Sequence, residues 1–145
     1  HLEHIRNGGD PFELGASRPL DFGHWAAHKL EVLSNYRLGH GQAVAIGIAL
    51  DSSYAAAKGL LTTTQRDRII QAMKDTGLPA WDKLLEEEAE NGNSVILHGL
   101  EEFREHLGGR LTITLPEGIG RKVEVHEIDM PVMRACMGFL KQAAN

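Results

Sequence analysis

The chain has 145 residues, 42% of them hydrophobic and 24% charged, enough for one globular domain with its own core and too apolar for disorder. A net charge of -5 with scattered lysines and arginines leaves no basic stripe for nucleic acid, and no apolar run approaches the roughly 18 residues that span a bilayer. One cysteine, Cys136, excludes an intrachain disulfide; it lies in a helical apolar pattern and is expected in the core of a soluble, cytoplasmic protein. The first residues, His1-Leu2-Glu3-His4-Ile5, carry no signal-peptide pattern and read as the middle of an element, so the chain is expected to be a fragment.

In chain order, Asn7-Gly8-Gly9-Asp10-Pro11 and Gly15-Ala16-Ser17-Arg18-Pro19 frame a short Phe12-Glu13-Leu14 segment as loop with one turn of helix. A helix is expected from about Phe22 to Ser34, capped by Asp21 and closed by Asn35-Tyr36-Arg37-Leu38-Gly39. From about Gly41 to Lys58 the sequence is apolar almost all round at its start and reads as a buried central helix. Gly47 within that helix costs about 1 kcal/mol relative to alanine, so close approach of another helix or of a ligand is its expected reason.

Thr62-Thr63-Thr64-Gln65 opens an amphipathic helix running to Gly77. Leu78-Pro79 starts a short helix with Trp81, Leu84 and Leu85 as its apolar stripe and Glu86 to Glu88 as a solvated face. After the Asn91-Gly92-Asn93 break, Ser94 caps a helix through Val95, Ile96, Leu97 and Leu100 towards His106. Residues 111–115 and 122–128 alternate as two strands around a turn at 116–120, forming a β-hairpin with His126 as a surface histidine. A last helix is expected from about Met130 to Ala143. The fold class is therefore mostly α, one helical bundle-like domain over 1–145 with one hairpin. No Gly-x-Gly-x-x-Gly follows a strand, so these residues hold no dinucleotide-binding unit.

The chemistry concentrates in Asp21-Phe22-Gly23-His24-Trp25-Ala26-Ala27-His28-Lys29-Leu30-Glu31, followed at Gly39-His40-Gly41 by a third histidine. His24 and His28 are one helical turn apart and share a face, and a loop can return His40 to them. Three readings stand. The histidines can be cap or core residues; they can belong to a metalloprotease, though the glutamate of His-Glu-x-x-His is missing after His24; or they can form a catalytic metal site with an open position for substrate oxygens.

The stretch from Leu20 to Glu31, with His40-Gly41-Gln42-Ala43-Val44-Ala45-Ile46-Gly47, resembles the pattern Leu-Asn-x-Gly-His-Thr-x-Gly-His-Ala-x-Glu followed by His-Gly-Glu-Ala-Val-Ala-x-Gly. That pattern belongs to 3-dehydroquinate synthase and related sugar phosphate cyclases. Gly109-Arg110-Leu111-Thr112-Ile113-Thr114-Leu115-Pro116 and Gly118-Ile119-Gly120 resemble the family's late hairpin, so the likeness covers nearly the whole chain but only the C-terminal helical half of such an enzyme. It implies an N-terminal NAD-binding domain outside this chain, an active site between the two domains, a homodimer at full length, and a sugar phosphate substrate.

The resemblance further implies that His24 and His40 ligate Zn2+, or Co2+ or another divalent metal, and that His28 contacts the substrate's phosphate and relays protons. Glu13 matches an acidic residue of the same proton network, and Asp21 takes the place of a substrate-contacting asparagine, adding a negative charge. The family's glutamate ligand lies ahead of this segment, and Glu31 is read as structural. The arginine before the motif falls at Ser17 by strict spacing, with Arg18 one place later; a family lysine falls at Glu3, and a lysine pair falls around Arg104-Glu105. Arg18 and Arg104 are thus the candidate substrate contacts, and the changes point to a sugar phosphate other than that of dehydroquinate synthase. The alternatives are an iron- or zinc-dependent alcohol dehydrogenase of the glycerol type and a helical module that binds metal without catalysis.

Overall fold

In the computed structural model, which describes residues 23–118 and 120–144, the sequence's most apolar run becomes the helix on which the others pack. The elements are α1 (His24–Leu33), α2 (His40–Ala57), α3 (Thr63–Asp75), a 3-10 turn (Lys83–Glu86), α4 (His98–His106), β1 (Ile113–Pro116), β2 (Lys122–Val125) and α5 (Met130–Ala144). Helix α2 touches α1, α3, α5 and β1. Surrounded in this way, it buries residues on every side, from Ala43 through Ile46 and Leu50 to an unbroken run from Ala49 to Ala55. The expected mostly helical domain with one hairpin is what forms.

Helix α3 opens with a reciprocal cap. Thr62 Oγ1 accepts the Gln65 N–H at 3.0 Å, and Gln65 Oε1 accepts the Thr62 N–H at 3.0 Å. Helix α5 carries Met133, Cys136, Met137 and Leu140 on its buried stripe, the spacing of one helix face. Burial pushes the Cys136 thiol up to about 11, which suits a packing residue rather than a nucleophile. The hairpin is antiparallel, with Ile113 opposite Val125 and Pro116 opposite Lys122, and the Gly118 N–H reaches Leu60 O at 2.9 Å to tie its turn to the α2–α3 loop.

Three boundaries differ from the sequence expectation. Helix α1 is described from His24, with Gly23 before it in the left-handed region at φ 80°, and the expected Asp21 cap and Phe22 lie outside the described residues. The expected helix after Pro79 shrinks to the 3-10 turn, because the Asp82 carboxylate accepts the Leu84 N–H at 3.1 Å and both Arg37 hydrogen bonds, and so draws the chain into a turn. Leu84 and Leu85 are buried as expected, while Trp81 is half-buried ahead of the turn. Ser94 does accept the Leu97 N–H, at 3.2 Å, but its backbone pairs with Glu88, so α4 begins only at His98. Strand β2 stops at Val125; His126 turns away exposed, its Nδ1 lying 3.0 Å from Leu111 O. The acidic run is solvent-exposed, with Glu86 and Glu88 paired to Lys141 and Arg134 of α5.

Candidate metal centre

The first turn of α1 is set by backbone packed on backbone. Gly47 of α2 lies so close to Gly23 that a Cβ on Gly47 would fall 2.0 Å from Gly23 O. A Cβ on Gly23 would in turn meet the Ile48 N and Cγ1 at 2.8 Å, and its φ of 80° is one that other residues rarely adopt. Close approach of a helix is thus the reason for Gly47. Just beyond this contact Asp51 of α2, fully buried, accepts the Gly23 N–H at 3.1 Å on Oδ2 and the Trp25 Nε1–H at 2.7 Å on Oδ1. Burial pushes the Asp51 carboxyl up to about 7, partly offset by the hydrogen bonds from Trp25 and Gly23.

The connection from α1 to α2 then reverses within six residues, 34–39. Asn35 and Tyr36 both take left-handed backbone, at φ 52° and 62°, and the Ser34 hydroxyl closes the turn by donating to Glu31 O at 3.0 Å and accepting the Leu38 N–H at 3.1 Å. Arg37 anchors the loop to Asp82 through two hydrogen bonds of 2.9 and 3.0 Å. Gln42 Oε1 accepts the Gly39 N–H at 2.9 Å, which starts α2 at His40.

The result is that His24 and His40, sixteen positions apart, face each other with ring centroids 5.3 Å apart and planes tilted by 51°. Either carboxylate oxygen of Glu31 lies 3.4 Å from His40 Nδ1. In the tautomer with its proton on Nδ1, His40 would donate to Glu31 and leave the Nε2 lone pair for an ion, the outer-carboxylate arrangement that orients metal-binding imidazoles. Two imidazoles at this separation fit one zinc-like ion, with nitrogen–metal bonds of about 2.0–2.1 Å. Among the described residues no group of three or more His, Cys, Asp or Glu side chains comes together, so a third ligand is not found there.

His24 stands between two concavities. One, of about 470 Å³, holds His24 and His40 with Val44, Ile48, Met73 and Leu78 as apolar walls. The other, of about 450 Å³, lies between α1 and α4 and is lined by His24, exposed His28, Lys29, Glu102 and Phe103. In it Lys29 Nζ donates to Glu102 at 2.5 Å, and this hydrogen bond holds the Glu102 carboxyl below its usual range. Gly99 leaves α4 close enough for a Cβ there to meet Lys29 Cβ at 3.3 Å.

Of the candidate site residues, the structure brings His24 and His40 together and places His28 one turn away, on the neighbouring cavity. Arg104 is elsewhere: its guanidinium pairs with Glu101 and donates to Gly109 O at 2.7 Å, closing the end of α4. Glu13, Arg18 and Asp21, with Glu3 and Ser17, lie outside the described residues. Sequence reasoning missed Asp51, the Lys29–Glu102 pair and the Glu31–His40 contact. Asp51 left a readable signal, a carboxylate inside an otherwise apolar helix; the two pairs depend on contacts across elements and left none.

Comparison with known proteins identifies the family and relatives of the chain. The model of the 3-dehydroquinate synthase C-terminal family matches residues 1–98. A 2-epi-5-epi-valiolone synthase of Actinomyces sp is 31% identical over 131 residues, which cover 90% of this chain and 33% of the relative. A 3-dehydroquinate synthase of Pelotomaculum thermopropionicum is 36% identical over 118 residues, covering 79% of this chain and 30% of the relative. Among solved structures, ValA, the 2-epi-5-epi-valiolone synthase of Streptomyces hygroscopicus subsp. jinggangensis 5008 with NAD+ and Zn2+ bound, superimposes with a TM-score of 0.82 at 27% identity, over 97% of this chain and 37% of ValA. The chain spans about a third of the length of the curated relatives it matches.

Proposed function

Because the chain belongs to the 3-dehydroquinate synthase C-terminal family, we propose that it is the metal-binding half of an NAD- and zinc-dependent sugar phosphate cyclase, a phosphate-eliminating, carbocycle-forming lyase. The observation that carries this reading is the facing His24–His40 pair, built from the two sequence blocks that mark the family. An N-terminal domain of the same protein binds most of the NAD, and the active site lies between the domains. The valiolone synthases among the relatives support a sugar phosphate of that kind as substrate. The full protein is read as a cytoplasmic homodimer; among the described residues no helix is long and apolar enough to cross a membrane.

In this reading His24 and His40 hold the ion, and Glu31 keeps the His40 ring turned towards it. A divalent ion bound there supplies Lewis-acid activation of substrate oxygens, while NAD supplies the transient oxidation. His28, one turn from His24 and open to solvent, contacts the substrate's phosphate and moves a proton at its imidazole; protonated, it makes a charge-assisted hydrogen bond to a phosphate oxygen. Glu13 belongs to the same proton network as His28, and Arg18 and Asp21 contact the substrate. Arg104, paired with Glu101 and Gly109 in the absence of substrate, is kept as a further substrate contact.

The test uses the full protein that carries this chain, with NAD and Zn2+. Release of inorganic phosphate from a sugar phosphate without net NADH is the expected outcome, and steady NADH with no phosphate would mark a glycerol-type dehydrogenase instead. His24→Ala and His40→Ala should each abolish tight Zn2+ binding. His28→Gln should leave it intact and lower turnover about 10²- to 10⁴-fold. The 145-residue chain alone should bind Zn2+ weakly and turn nothing over.

A further inference from the structure

The residues on both sides of His24 are held by a single side chain, one through its backbone and one through its indole. Asp51 uses one carboxylate oxygen for the Gly23 N–H and the other for the Trp25 indole N–H, the residues immediately before and after His24. Gly23, the N-cap of α1, has no side chain to cap the helix, and these bonds tie its start to α2. Asp51 belongs to α2, the helix that begins with His40, and the Gly23–Gly47 contact closes the same seam. One residue thereby fixes the start of α1 against α2, and with it the 5.3 Å separation of the two rings.

The chemistry of the choice points the same way. Asp51 is fully buried and both of its donors are neutral groups, an amide and an indole. Burying a carboxyl this way contributes less to stability than an apolar side chain of similar size would. What the carboxyl does provide is two acceptors in one rigid group, aimed at two donors that bracket a ligand.

We propose that Asp51 is a positioning residue for the metal centre, acting through Gly23 and Trp25 to set His24 opposite His40. The inference rests on His24 and His40 as ligands, and the test separates the two. In the protein that carries this chain, Zn2+ affinity is measured by competition with a chromophoric chelator, beside thermal melting, for the wild type and for His24→Ala, Asp51→Asn and Trp25→Phe. Asparagine keeps the shape but offers only one acceptor oxygen, so Asp51→Asn should weaken Zn2+ binding about 10- to 100-fold in a folded protein. Trp25→Phe, which removes one of the two bonds, should weaken it less.

A folded Asp51→Asn protein with wild-type Zn2+ affinity overturns the inference and leaves the ligand reading standing. If the wild type binds no Zn2+, or His24→Ala binds as tightly as wild type, both fall together. Should Asp51→Asn fail to fold, Trp25→Phe decides: unchanged affinity overturns the proposal, and a loss of several-fold upholds it.

Discussion

The seam between α1 and α2 and the outer layer of α4 and α5 are both helical, yet they are held by opposite means. At the seam, Gly23, Ala26, Ala27, Ala43 and Gly47 let backbone approach backbone, and a buried carboxyl takes the two donors left between them. In the outer layer, large side chains such as Leu100, Met133 and Leu140 fill the space, and exposed ion pairs such as Arg134–Glu88 lie over them. Side chains can rotate aside and exposed pairs can be remade in water; two backbones in contact have nowhere to go. The half that positions the histidines is therefore the half that tolerates least change.

Adding one methyl group at each of three glycines sharpens the contrast. Gly47→Ala puts a carbon 2.0 Å from Gly23 O, so α1 must lift from α2; we expect a loss of about 3 kcal/mol or more in urea unfolding, with Zn2+ binding lost as well. An unchanged midpoint would show that the seam can relax. At Gly99→Ala the neighbour at 3.3 Å is Lys29 Cβ, a side-chain atom with some freedom, so strain and the better helix propensity of alanine should cancel to within about 1 kcal/mol. Gly138→Ala on the exposed face of α5 meets nothing within 4 Å and should stabilise by about 0.5–1 kcal/mol. A ranking other than Gly47, Gly99, Gly138 would break the comparison.

An effect of pH is comparable in size to that of Gly47→Ala. Asp51 binds its proton more tightly folded than unfolded, its carboxyl being raised from 3.8 to about 7. Its contribution to stability is fully present below about pH 4 and is lost as pH rises through about 7, where the buried group must ionise. Melting the wild type and Asp51→Asn side by side from pH 4 to 8 should show the wild type losing ground by on the order of 4 kcal/mol. Parallel curves across that range would mean that Asp51 keeps the same charge throughout.

Much of this was legible in the residues. The helices over 63–75 and 130–144, the hairpin and the buried central helix follow from period and caps, because each rests on contacts within a few residues. Two expectations failed where contacts outside the helical pattern intervened. Arg37 and Leu84 drew Asp82 into a turn where a helix was expected, and Glu88 paired with Ser94 and delayed α4.

By itself the sequence determined which residues are candidates for the chemistry, since His24, His28 and His40 stand in blocks whose spacing and neighbours are readable without coordinates. It also determined that Gly47 must serve a close approach, because an interior helical glycine costs stability unless something needs the room. Only the tertiary structure decided what approaches: the Gly23 carbonyl, at the start of the helix that bears His24. It alone placed Glu31 beside His40 and Asp51 beneath Gly23 and Trp25, because such pairings depend on how two helices dock, and docking is a property of whole surfaces rather than of local pattern.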